Sequence, residues 1–275
     1  MEEPEEHEEN QRPVTVEVLI QRLYRDPRYM LMGKIERFGR ELLAFIESCT
    51  VLSATGDVRG QMLLNNEYET RGRPDGERPY GEDSLLDYYL GKRGEKFALN
   101  DDDLSALRDE SWLYYVRRNF FFLLEDWGAA RDDAEHNLEI WSIIEQSEAN
   151  EAAKWASLKW WPWMERDRAI AQALWDVGHE QPDHAATELY RAQRGIEQFG
   201  ERYQEQYAQE EGDSRNICTH MAQHVGALVE LLRRDQGLPK SLDERFDDAE
   251  TRGDTEEVER LRSEMIRRAM EEGEP

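Results

Sequence analysis

Along most of this chain apolar residues recur every three or four positions, the spacing of one helix face. Thr15 caps a first predicted helix with Val18, Leu19 and Leu23 on its inner side, ended by Asp26-Pro27. From Tyr29 the same period predicts a helix through Leu31, Ile35, Phe38, Leu42, Phe45, Ile46, Cys49 and Leu52. It continues over Val58, Met62 and Leu63, with Gly56 and Gly60 as weak points. Residues 70–83, rich in Arg, Gly, Pro and Asp, read as a loop. A short helix over Leu85 to Leu90 and an extended piece at Lys96-Phe97-Ala98-Leu99 precede the cap at Asn100-Asp101-Asp102. From Leu104 to about Tyr207 the pattern is almost continuously helical, broken at Pro162, Gly178 and Pro182. Residues 209–215 read as a loop, and Ile217, Met221, Val225, Leu228 and Leu232 line a further helix. Strand-type alternation is nearly absent, so the predicted class is all-α.

The most specific signals lie at the C-terminal end. Ser241-Leu242-Asp243-Glu244 forms a capping box, and Arg252-Gly253 supplies a left-handed helix stop. Asp254 caps a second helix with Glu256 and Glu257 in its first turn and Arg267 and Arg268 in its last, matching the helix dipole. Leu242, Phe246 and Ala249 form one apolar stripe, and Val258, Leu261, Met265 and Ala269 the other. Two helices this short are marginal alone, so the predicted hairpin requires a surface to pack on.

The pattern divides the chain into a disordered acidic tail (1–12), an N-terminal helical region (13–100), a second helical region (101–235), a linker (236–240), the hairpin (241–270) and a disordered tail (271–275). Residues 241–270 resemble the UVR motif, the helical hairpin found in the UvrB and UvrC excision-repair proteins and in McsA-type partners of Clp proteases. Phe246, Ala249, Asp254-Thr255-Glu256, Val258-Glu259, Leu261-Arg262-Ser263 and Met265 occupy the motif's positions. Thr255, Glu259 and Ser263 depart from it, replacing an aromatic, a second Ala and an acidic residue. The resemblance implies docking to a helical protein partner through Phe246, Ala249, Val258, Leu261, Arg262 and Met265. That partner is a UVR-containing protein, a Clp-type ATPase, or a second copy in a homodimer. Tyr114, Phe121 and Leu124, the turn Asp126-Trp127, then Ala130, Ala134 and Leu138 resemble a tetratricopeptide (TPR) unit. Ile170 through Val177-Gly178 to Ala186 and Tyr190 form a second. Arg118 stands where that repeat has Gly, and the units are not at tandem spacing. The expected architecture is a TPR-like helical-hairpin body carrying an antiparallel two-helix UVR-like hairpin.

Charge narrows the partners. With 61 acidic against 35 basic residues the formal charge is −26, which repels phosphate backbones and argues against direct nucleic-acid binding. Cys49 and Cys218 are too few for a disulfide framework or a four-thiolate zinc site. This departs from the McsA-type proteins, which carry zinc-binding cysteines ahead of their hairpin. Without a signal-peptide pattern or a membrane-length apolar run, the chain reads as a soluble cytoplasmic protein.

All eight tryptophans fall between Trp112 and Trp175, three of them in Trp160-Trp161-Pro162-Trp163. One helix face cannot bury three near-consecutive indoles, so Trp160, Trp161 and Trp163 are candidates for a groove, with core packing as the alternative. His220 and His224, four apart on one helix near Cys218, have the spacing of a metal pair but no third ligand in sequence. The basic-aromatic stretch from Tyr114 to Phe120 follows helical periodicity, with Arg117 and Arg118 at its border suited to an acidic partner. No metal, cofactor or catalytic set is predicted. The expected function is a non-enzymatic adaptor. The alternatives are an accessory role in nucleotide excision repair through UvrB/UvrC-type partners and a metal-dependent enzyme around His220 and His224.

Overall fold

The computed structural model describes residues 29–37, 39–52, 58–92 and 99–272. The acidic tail expected over 1–12, the helix expected from Thr15 and most of the piece at Lys96–Leu99 lie outside them. The described residues are mostly helical, with one small sheet.

The sheet corrects the helical expectation for the N-terminal region. Strands β1 (Tyr29–Arg37), β2 (Arg40–Leu52) and β3 (Val58–Glu69) form an antiparallel meander in chain order. A spacing of four, as in Leu31 and Ile35, satisfies two strand alternations as well as one helical turn. The apolar positions alone therefore do not separate the two. Glycine decides it. Gly39, at φ 73°, stands in the two-residue connection between the paired Arg37 and Arg40, where a hairpin turn needs a left-handed residue. Phe45, Ile46, Thr50 and Val51 also favour a pleated strand. Leu43 and Phe45, two apart on β2, are buried, and Phe45 meets Tyr68 of β3 and Phe120 at 4.7 Å between ring centroids. The sheet thus lies on the helical body through its β2 inner face.

The body begins with α1 (Leu85–Gly91) and α2 (Asp101–Leu123), the latter opened by a capping box between Asn100 and Asp103. Asp126 caps α3 (Trp127–Ser147) by accepting from the Ala129 amide, and Asn150 caps α4 (Glu151–Leu158). Then come α5 (Trp161–Gly178), α6 (Pro182–Arg202), the short α7 (Gln204–Ala208) and α8 (Ile217–Gln236). The long helices pack in succession, α2 on α3, α3 on α5, α5 on α6 and α6 on α8. Small residues set the crossings: Ala130, Ala134, Ala169, Ala185 and Ala192 are essentially buried. Gly200 lies so close to α8 that a Cβ there would sit 2.9 Å from Cβ of Cys218.

Gly237, at φ 66°, ends α8 within the expected linker. Helices α9 (Leu242–Arg252) and α10 (Thr255–Glu272) follow, joined across Gly253 at φ 70°. Helix α10 continues into the stretch expected as a tail, and 273–275 lie outside the described residues.

Candidate functional site

Two regions present side chains to a visitor. The first is an aromatic cleft. On α2, Arg108, Ser111, Trp112 and Tyr115 stand at positions i, i+3, i+4 and i+7, one helix face. Across from them Ala156 and Ser157 end α4, Trp160 occupies the turn, and Trp163 and Met164 start α5. With Trp141 of α3 these residues line a cavity of about 380 Å³. Trp141 and Met164 are buried and make its floor, while Trp112 and Trp160, 45% and 40% exposed, stand at its rim. The Trp112 and Tyr115 rings lie 5.1 Å apart at 22°.

Two of the three expected groove residues, Trp160 and Trp163, are therefore brought together, and the third is not. Trp161 points the other way and stacks on Phe199 of α6, centroids 4.7 Å apart at 11°. Pro162 starts the helix between them, so successive indoles leave on different sides. Trp112, Tyr115, Trp141 and Arg108 complete the cleft with no spacing along the chain that announces them. The clustering of all the tryptophans in one segment was the available signal.

The polar frame of the cleft is fixed. Arg108 donates from Nε to Ser157 Oγ at 3.1 Å and from Nη2 to Glu148 Oε2 at 2.6 Å. Glu148 also accepts from the Asn150 amide, and that bond together with Arg108 holds its carboxyl below the usual range. Ser111 donates to Asn137 Oδ1 at 2.6 Å. Behind the walls, the Arg118 guanidinium lies 4.8 Å from the Tyr115 ring and that of Arg166 4.7 Å from Trp163. Lys159 Nζ sits 5.5 Å from Trp160. Arg117 and Arg118, expected to await an acidic partner, are instead buried and paired internally. Arg117 binds Asp133 and the carbonyls of Glu69 and Gly72, and Arg118 binds Asp167.

The second region is the C-terminal pair of helices. Its local signals act as read: Ser241 N–H donates to Glu244 Oε2, and the Glu244 amide donates to Ser241 Oγ. The chain folds back, bringing Arg245 to Glu257 at 3.7 Å and the Arg262 guanidinium to 5.8 Å from the Phe246 ring. Of the six expected docking residues, Ala249 and Leu261 are fully buried where α9 meets α10, which takes them away from any partner. Phe246, Val258 and Met265 are half-buried, and Arg262 is exposed. The physical reason is that two stripes facing each other satisfy each other first.

Helix α9 also grips the body. Tyr190 donates to Asp247 at 2.5 Å, Arg194 reaches the same carboxylate at 3.0 Å, and Arg191 binds Asp243 at 2.6 Å. Burial and that carboxylate both raise the Tyr190 pKa, keeping it a donor. Arg233 of α8 forms a buried ion pair with Glu244. Helix α10, with eighteen residues against eleven, runs about 10 Å beyond α9. On that overhang Ile266 and Met270 are 52% and 68% exposed.

His220 and His224 both face solvent on α8, and desolvation, then Arg166 and His220, lower the His224 pKa. Among the described residues no group of three or more His, Cys, Asp or Glu is placed to hold a metal ion. Burial raises the Cys218 thiol pKa, which disfavours the thiolate form. Among the same residues no helix is long and apolar enough to cross a membrane. No family model, curated protein or solved structure matches the chain.

Proposed function

We propose that this chain is a non-enzymatic adaptor that docks a short helical hairpin of another protein on the overhanging face of α10. The observation that carries this reading is the asymmetry of the hairpin: α9 is tied to the body, while α10 outruns it and exposes Ile266 and Met270. An apolar helix end of this kind gains by being covered, at roughly 25 cal/mol per Å² less the cost of association. Flanking charges of both signs, Glu264, Arg267 and Arg268, suit a hairpin of similar build. A second copy is disfavoured, since each chain carries −26. The UVR resemblance supports the same choice of partner chemistry and points to UvrB- and UvrC-type hairpins.

The test is titration of the full chain with UvrB and UvrC, reading affinity and complex mass. Wild type should bind and Ile266→Asp should lose about tenfold or more, with the body's thermal unfolding unchanged. Phe246→Asp is a poor probe because Phe246 is half-buried in the hairpin itself. Absence of binding, equal binding by Ile266→Asp, or a homodimer in light scattering would each overturn the proposal.

A further inference from the structure

We infer that the aromatic cleft is a small-molecule site for a planar aromatic acid, independent of the hairpin's partner. Its volume, about 380 Å³, falls in the range of small-ligand pockets and suits a fused ring pair with a short acidic arm. Indoles at the rim and floor offer faces for stacking, and Trp112 and Trp160 are the exposed ones among them.

Charge chooses the acid. In a chain with 61 acidic residues, no carboxylate lines this cavity, and Arg108 does. Nε and Nη2 of Arg108 are committed to Ser157 and Glu148, which fixes the guanidinium. Among the described residues its Nη1 has no hydrogen bond, so this nitrogen of a cavity-lining guanidinium can donate to water or to an incoming oxygen. Three wall rings already carry a cation: Tyr115 has Arg118, Trp163 has Arg166 and Trp160 has Lys159. The carboxylates that partner these cations, Asp167 and Glu210, lie outside the lining, as does Glu148, which pairs with Arg108. A cationic ligand would meet like charge behind each of those rings, whereas an aromatic anion finds stacking and a fixed donor together.

The experiment is calorimetric titration of the full chain with naphthoate, neutral naphthylmethanol and cationic naphthylmethylammonium, repeated with ligand-observed NMR. Naphthoate should saturate and bind at least about tenfold more tightly than the ammonium probe. Trp160→Ala should weaken naphthoate about tenfold with unchanged thermal unfolding, because its ring is at the rim. Arg108→Gln should erase the preference for naphthoate over the neutral probe while that probe still binds. No saturable binding to about millimolar concentration, a preference for the cation, or indifference to Trp160→Ala would overturn the inference.

Discussion

Arg118 of α2 and Asp167 of α5 meet at 2.7 Å with neither side chain exposed to water. Asp167 also accepts from Arg166 at 2.5 Å, so one carboxylate sits between two buried guanidiniums. The trio stands directly behind the aromatic cleft and joins the two helices that form its main walls.

The two ends of this trio are not equivalent. Asp167→Leu leaves two buried cations facing each other and should cost about 3–5 kcal/mol. Arg118→Met leaves the Asp167–Arg166 pair in place and should cost clearly less. Urea unfolding of the two variants decides the order, and an equal loss would contradict this reading.

Glu110 sets a pH dependence of stability. Burial alone pushes its pKa up, but His136 and the amides of Leu85 and Leu86 all bond the charged form and hold the carboxyl below the usual glutamate range. A carboxylate lowered on folding contributes stability above its unfolded pKa and loses it as pH falls through the folded value. Wild type should therefore lose stability on acidification below about pH 4.5, and Glu110→Gln should show a shallower slope there. Urea midpoints measured across that range test it.

Two glycines predict opposite outcomes. Gly200→Ala puts a methyl 2.9 Å from Cβ of Cys218, so α6 and α8 must part, at about 1–3 kcal/mol. Gly226→Ala meets only the amide end of Gln193, which can swing aside, and the gain in helix propensity makes it neutral or stabilising by up to about 1 kcal/mol. Thermal unfolding of both variants gives the comparison.

Adjacent tryptophans should behave differently in stability. Trp161→Ala removes the stack on Phe199 and should cost about 3 kcal/mol. Trp160→Ala, at the rim, should stay within about 0.5 kcal/mol. Chemical denaturation of both variants, set beside the titrations of the cleft, separates core packing from ligand contact.

The caps at Asn100, Ser241 and Gly253 are legible because local chemistry dictates them, and each acts where it stands in sequence; Asp126, read as a turn, proves also to cap α3. The sheet is not legible, because Leu31 and Ile35 fit either period and the deciding turn rests on Gly39 alone. Of the cleft, only Trp160 and Trp163 are visible in the sequence. The rest depends on α2 and α3 crossing α5, and no spacing along the chain announces that Trp112, Tyr115 and Trp141 arrive at the same place. Arg118 read as a border residue because a charge on an apolar face ordinarily faces water, and its partner lies forty-nine residues away on another helix.

The bonds that fasten α9 to the body differ in how ionic strength reaches them. The Arg191–Asp243 and Arg194–Asp247 pairs are partly open to solvent, whereas Arg233–Glu244 is enclosed. At molar salt the Debye length shrinks to about 3 Å, so the outer two fade while the enclosed one persists. The C-terminal element then keeps only the Arg233–Glu244 pair and the Tyr190–Asp247 hydrogen bond, and the stiffness of its attachment becomes a property of the surrounding electrolyte.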